Sequence, residues 1–333
     1  MTGGAASAGG AGADGADRAR AALSRRRSDV ARLVSLMEDT RTSRATERDA
    51  AIALLEENAQ ARGHRSTVIG ITGTPGAGKS SLVSSTTREM LRIDPEATIA
   101  VVAVDPSSQI TKGALLGDRT RMTTDVAEDR LFFRSQASVT ALGGLAPPTY
   151  LVVRALVCLY DYVIVETVGI GQSEADIKHL ADVVYLVMSP GGGDDVQMLK
   201  AGIVEIPDAF VINKADSPGA QTAYHQLRGA LWLARPVDAD SVTVMLTSAR
   251  RGDGVVELAR EMLSRRDVAV PPEAIAERAA HFFELWVRDE WGRQGLRVLR
   301  ADRTVGGACD PVAAFGAAQA AFDEVMMSRS ERR

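Results

Sequence analysis

The chain has 333 residues, 45% of them hydrophobic and 25% charged, with a formal net charge of -4. Such values belong to a soluble globular protein able to bury one large core or two smaller ones, and the acidic balance gives no bulk attraction to nucleic acid. No run of about 18 apolar residues occurs, so no membrane span is expected, and Cys158 and Cys309 lack a second Cys or His at ligand spacing, which supports neither a disulfide framework nor a zinc site.

Residues 1–17 are rich in Gly, Ala and Ser and read as a disordered tail. They lack the basic start and apolar stretch of a secretory signal, and a reducing cytoplasm fits the cysteine usage best. From 18 to 62, apolar residues recur at helical spacing, as in Val30, Leu33, Val34 and Met37, then Ala51, Leu54 and Leu55. Two or three helices are predicted there. Too small for a core of their own, they should pack on the domain that follows.

Over 63–268 the pattern becomes short β-rich runs alternating with helical ones. The runs are Thr67–Thr72, Thr98–Val104, Arg130–Phe133, Asp161–Glu166, Val183–Met188, Ala209–Ile212 and Ser241–Leu246. That alternation predicts an α/β fold, a mostly parallel sheet flanked by helices with ligands at the carboxyl ends of its strands. Pro271-Pro272 then interrupts the chain, and 269–333 reads as a C-terminal helical arm. Phe282, Phe283, Leu285, Trp286 and Trp291 are too many large apolar groups for a lone exposed helix, and a dimer interface is the favoured expectation for them.

The chemistry is written after the strands. Gly73-Thr74-Pro75-Gly76-Ala77-Gly78-Lys79-Ser80 follows the first run and leads through Ser81 into a helical segment. Strand, glycine-rich loop and helix together make a P-loop: backbone N–H groups curl round phosphates, Lys79 supplies a point charge, and the Ser80 hydroxyl can ligate Mg²⁺. Asn213-Lys214-Ala215-Asp216 follows the sixth run. A carboxylate at Asp216 would accept from guanine N1–H and the exocyclic amine, whereas adenine would leave it facing an acceptor, so GTP is expected over ATP. Thr247-Ser248-Ala249, after the seventh run, resembles a loop that meets guanine O6 through its backbone. Three acidic residues are candidates for the Mg²⁺ shell: Asp105, Asp118 and Glu166. Gly169 is placed to offer its N–H to the γ-phosphate. Pro190-Gly191-Gly192-Gly193-Asp194-Asp195 reads as a mobile segment in which Lys200 can exchange ion pairs.

These motifs jointly resemble the MeaB/ArgK/MMAA GTPases. They are Thr72–Ser80, Ala103-Val104-Asp105-Pro106-Ser107-Ser108, Leu116-Gly117-Asp118-Arg119-Thr120-Arg121-Met122, Glu166–Glu174 and Asn213–Asp216. The resemblance implies a P-loop GTPase with Mg²⁺ and GTP or GDP as ligand, acting as a homodimeric chaperone of an adenosylcobalamin-dependent acyl-CoA mutase. The adenosylcobalamin is held by the mutase. The resemblance also implies that Lys79 and Ser80 serve phosphate and metal, and that Asp105, Asp118 and Glu166 form the metal and switch shell. Asp194, Asp195 and Lys200 then sense the mutase. Thr111-Lys112-Gly113, Pro147-Pro148 and Asp195 depart from the usual family residues. Two other readings compete. A nickel-inserting GTPase needs Cys or His ligands, but His64, His179, His225 and His281 are dispersed. A small-molecule kinase using ATP is opposed by the Asn213–Asp216 motif.

Overall fold

A computed structural model of the chain describes residues 5–105, 129–137, 145–167, 173–191, 207–267, 270–301 and 310–330. In chain order, α1 (Ala5–Ala22), α2 (Arg27–Glu38) and α3 (Ala45–Ala61) precede β1 (Thr67–Gly73), α4 (Lys79–Ile93), β2 (Ile99–Asp105) and β3 (Leu131–Ala137). Next come α5 (Pro147–Leu156), β4 (Tyr162–Thr167), α6 (Ser173–Leu180), β5 (Val183–Met188), β6 (Ala209–Ile212), α7 (Ala220–Ala234), β7 (Thr243–Leu246) and α8 (Val255–Ser264). The chain closes on α9 (Pro272–Ala301) and α10 (Phe315–Ser330). Each of the seven strands overlaps a run predicted from sequence, although β3 continues four residues past Phe133, the predicted end of its run.

They form one sheet in the order β3-β2-β4-β1-β5-β6-β7, every described pairing parallel. Every residue of β1, β4 and β5 is buried, as parallel strands covered on both faces require. On one face Ile69, Ile71, Ile164, Tyr185 and Val187 pack with Leu82 and Val83 of α4 and Leu258 and Met262 of α8. On the other, Leu186, Met188, Phe210 and Ile212 meet Leu227 and Leu231 of α7. At the amino edge, three aspartates precede three strands, and each pins a neighbouring strand. Asp161 Oδ2 accepts from Thr98 N at 2.9 Å, Asp182 Oδ2 from Val68 N at 2.7 Å, and Asp208 Oδ2 from Val184 N at 2.8 Å. These carboxylates extend the ladder by one bond where it would otherwise leave a buried donor.

The chain divides into two compact units, 66–145 with 160–268 carrying the sheet, and 1–65 with 146–159 and 269–333 carrying helices. Two sequence expectations are corrected here. The helices before 62 fall with α5, α9 and α10 inside the second of these units, and the stretch 63–268 is interrupted by α5. Pro147 and Pro148 open that helix, where a missing N–H costs nothing. Arg154 of α5 donates to Glu56 Oε1 at 2.6 Å and to the Pro311 carbonyl at 3.2 Å, while Asp49 of α3 accepts from the N–H groups of Gly316 and Ala317 at 2.9 Å each. Asp49 thereby caps α10 from another helix.

The expected tail is also corrected, since α1 starts at Ala5. Its small residues serve close packing. Gly15, Ala19 and Ala22 are buried, and a Cβ on Gly15 would lie 2.1 Å from the Glu47 carbonyl oxygen of α3. At the other end of the chain, Phe282 stacks on Tyr150 with ring centroids 5.2 Å apart, and Phe283 meets Phe315 and Phe322 edge-on. Of the residues expected at a dimer interface, Phe282, Phe283 and Leu285 are buried, whereas Trp286 and Trp291 are half-buried. Trp291 is anchored by its Nε1–H donating to Asp323 Oδ1 at 2.8 Å.

Candidate functional site at the carboxyl edge of the sheet

The loop from Gly73 to Ser80 joins the end of the central strand β1 to the first turn of α4. Gly73 takes φ 139°, and a Cβ there would sit 1.8 Å from the Val187 carbonyl oxygen of β5, so only glycine fits. Gly78 takes φ 87°, with Asn213 Nδ2 2.7 Å from where its Cβ would be. Thr74, Pro75, Gly76 and Ala77 complete the turn, and Ser81 lies in the first turn of α4. Lys79 is buried, its ammonium donating to the carbonyls of Gly73 at 2.8 Å and Thr74 at 3.1 Å. These bonds fold the lysine back over the loop where a phosphate chain would lie. Ser80 Oγ donates to Glu166 Oε1 at 2.6 Å. Glu166 is itself buried and pairs in register with Ile71. A hydroxyl and a carboxylate oxygen held together at the phosphate loop are the hard donors that suit Mg²⁺.

The second half comes from β6 and β7. Asn213 Nδ2 donates to the Ala77 carbonyl at 2.9 Å, and its Oδ1 accepts from Ala249 N at 3.1 Å. One side chain thus ties three loops. Lys214 has φ 60°, an uncommon backbone for a non-glycine residue, and its Nζ donates to the Gly76 carbonyl at 2.7 Å. Ala215 N bonds the Thr247 carbonyl at 2.8 Å, which joins the loop after β6 to the loop after β7. Asp216 Oδ1 accepts from the fully buried Ser248 hydroxyl at 2.7 Å, and Arg251 Nε lies 3.9 Å from Oδ2. The Ser248 bond first, then a backbone bond and the charges of Arg251 and Arg250, hold the Asp216 carboxyl below its ordinary value, against desolvation acting the other way. Asp216 is therefore a fixed, ionised acceptor at neutral pH.

The structure brings together the predicted residues Gly73 to Ser81, Glu166, Asn213, Lys214, Asp216, Ser248 and Ala249. Asp105 closes β2, where the preceding Val104 pairs in register with Thr167, one position beyond Glu166; its side chain lies outside the described residues, as do Asp118, Gly169, Asp194, Asp195 and Lys200. Sequence reasoning missed Arg251 and the strut role of Asn213. The spacing of Arg251 behind Ser248 carries no motif, and the strut depends on how closely the loops approach.

Residues 30–291 match the family described as methylmalonyl Co-A mutase-associated GTPase MeaB. This chain belongs to the MeaB family. Among its relatives is the GTPase ArgK of Escherichia coli, 40% identical over 199 residues that make up 57% of this chain and 58% of that protein. Another is a fused isobutyryl-CoA mutase of Geobacillus kaustophilus, 38% identical over 200 residues, 60% of this chain but only 18% of that one. The alignments span 64% of a Pyrococcus abyssi relative and 53% of one from Pyrococcus horikoshii, so this MeaB-family chain covers only part of the length of those proteins. A solved structure titled LAO/AO transport system kinase superposes with a TM-score of 0.56 at 23% identity, covering 89% of each chain, which shows a shared P-loop fold.

Proposed function

We propose that this chain binds and hydrolyses GTP with Mg²⁺. In this reading it is a metallochaperone for an adenosylcobalamin-dependent acyl-CoA mutase, methylmalonyl-CoA mutase or a related enzyme, in the cytoplasm and as a homodimer. The observation that supports the nucleotide reading is the tie between the two motifs, Asn213 Nδ2 on the Ala77 carbonyl and Lys214 Nζ on the Gly76 carbonyl, which joins the loop that carries Asp216 to the glycine-rich loop. Lys79 serves the β- and γ-phosphates, and Asp216 reads the guanine edge while the Ser248-Ala249 loop backs it. Ser80 and Glu166, with Asp105 and Asp118, would hold Mg²⁺, which neutralises charge on the transferred phosphoryl group. Gly169 offers its N–H to the γ-phosphate, so that hydrolysis releases its segment.

The mutase reading is supported by the family description and by the relative in which a matching segment is part of an isobutyryl-CoA mutase. GTP turnover gates loading of adenosylcobalamin, held by the mutase, and protects that enzyme from inactivation. Asp194, Asp195 and Lys200 are the segment that senses it. The test is GTP turnover of the purified chain alone and with saturating methylmalonyl-CoA or isobutyryl-CoA mutase, beside light scattering for the dimer. Stimulation by one mutase is expected, and it should fall in Asp194→Ala and Lys200→Ala while nucleotide affinity holds. In Lys79→Ala, binding of a fluorescent GTP analogue should be lost in a chain that still melts cooperatively. Unchanged affinity there would remove the phosphate-site assignment.

A further inference from the structure

The two threonines that precede the site's two phosphate-side segments are bonded to each other. Thr72 is the residue before Gly73, and Thr167 is the residue after Glu166; both are fully buried. Thr167 Oγ1 donates to Thr72 Oγ1 at 3.1 Å. The register of β1 with β4 runs from Thr67 with Tyr162 to Ile71 with Glu166 and ends there. Beyond it each strand keeps only its outer neighbour: β1 continues beside β5 to Gly73 with Val187, and β4 beside β2 to Thr167 with Val104. The hydroxyl bond therefore takes over where the backbone ladder between β1 and β4 stops.

Alternation along the strands puts Thr72 and Thr167 on the face opposite Ile71 and Glu166. One step further along β1 the phosphate loop begins, and Glu166, one step back on β4, accepts the Ser80 hydroxyl from that loop. If the strand ends splayed here, the distance between Ser80 and Glu166 would change first. We propose that Thr72 and Thr167 are a positioning pair that locks the end of β4 to the end of β1 and so sets the separation of Ser80 Oγ and Glu166 for a divalent cation. The proposal rests on the Mg²⁺-nucleotide reading above. A threonine pair does this with little freedom, because β-branching restricts χ1 and a buried hydroxyl that loses its partner is costly.

The experiment measures binding of guanosine 5′-(β,γ-imido)triphosphate to the full chain, with and without Mg²⁺, in Thr167→Val, Thr72→Val, the double variant and Thr167→Ser. The Val changes should leave Mg²⁺-free affinity at the wild-type value. They should shrink the Mg²⁺-dependent gain in affinity roughly 2- to 10-fold, the worth of one hydrogen bond. Thr167→Ser should restore the gain, and the double variant should be no worse than either single one, since the pair acts as a unit. The double variant leaves no hydroxyl unpaired, so it keeps the test open if a single change impairs folding. A full Mg²⁺ gain in the Val variants, with or without a lower melting temperature, would overturn the pairing role, as would additive losses. Wild-type chain that fails to bind the analogue would instead overturn the nucleotide reading, and the positioning role with it.

Discussion

Asn213 Nδ2 donates to the carbonyl of Ala77 at 2.9 Å, joining the end of β6 to the phosphate loop across the sheet edge. Because its Oδ1 also accepts from Ala249 N, the amide fills a donor site and an acceptor site at once, and it is 2% exposed. Substitution by Ala would orphan the Ala77 carbonyl and the Ala249 N–H together.

For Asn213→Ala the expected loss is about 1–3 kcal/mol for the groups left buried without partners. Because those groups belong to the loops proposed to hold both ends of the nucleotide, GDP affinity should fall with stability. Asn213→Asp should be worse than Ala, since a carboxylate would face the Ala77 carbonyl in place of a donor. Calorimetric GDP titration beside urea unfolding checks this. An Asp variant that binds as well as wild type would show that Asn213 is not the strut.

At the opposite edge of the sheet, Asp182→Ala and Asp208→Ala should each lower the urea midpoint without changing nucleotide affinity. Each carboxylate takes one N–H from the neighbouring strand, Val68 and Val184 respectively, and the loss is expected at about 1–3 kcal/mol. Asn at either position keeps an acceptor oxygen and should recover most of that. Should Ala and Asn behave alike, the strand-pinning bond is not what stabilises the edge.

How much of this was legible in the sequence follows from what each pattern encodes. The inner strands were, because a parallel strand buried on both faces is a near-continuous apolar run such as Val68-Ile69-Gly70-Ile71, and the glycine loop and Asn213–Asp216 each stand at the end of one; the edge strand β3, half-buried and carrying Arg134, Ser135 and Gln136, was read only to Phe133. The helix α1 was not. Gly12, Gly15, Ala19 and Ala22 follow a helical spacing, but small residues read as disorder until the partner backbone they approach, Glu47, is known. Nor was the discontinuous helical unit, since Asp49 capping Gly316, and Arg154 reaching Pro311, are long-range contacts that no local pattern announces. The Asp161, Asp182 and Asp208 repeat before successive strands was visible and went unread. Its meaning depends on register, which the sequence alone leaves open.

Thr86 and Thr87, neighbours on α4, should respond oppositely to the same change. Thr86 Oγ1 is buried with no hydrogen-bond partner among the described residues, beside a cavity of about 10 Å³ lined by Ile71, Leu82, Val83, Ile164, Val187, Val211, Leu258 and Met262. Thr87 Oγ1 donates to the Val83 carbonyl at 2.6 Å. Thr86→Val replaces an unpaired hydroxyl by a methyl of similar size and should stabilise by about 1 kcal/mol, whereas Thr87→Val should cost about as much. Melting temperatures of the two variants decide it, and a destabilised Thr86→Val would mean that its hydroxyl has a partner.

The proposed base-reading end offers a prediction with a pH signature. In that reading Asp216 must be ionised to accept two donors from guanine, and the Ser248 hydroxyl is the first cause of its lowered pKa, helped by Arg251 and Arg250. A carboxyl whose pKa is depressed keeps its function above its ordinary value and loses it only as pH falls through the depressed one. Wild-type GDP affinity should therefore hold on acidification past the ordinary carboxylate value of 3.8, to the limit at which the fold survives. In Ser248→Ala the decline should begin at higher pH, because the bond that favours the charged form is gone. Asp216→Asn removes the titration altogether: its affinity for guanine should drop by a few kcal/mol, roughly 10²-fold, while xanthosine diphosphate gains, since the amide donates where the xanthine 2-oxo group accepts. Calorimetric titrations of both nucleotides across pH, with unfolding followed in parallel, separate loss of binding from loss of fold. An Asp216→Asn chain that still prefers GDP would show that this carboxylate does not read the base, and a Ser248→Ala chain with the wild-type acid profile would show that the Ser248 bond does not set its protonation.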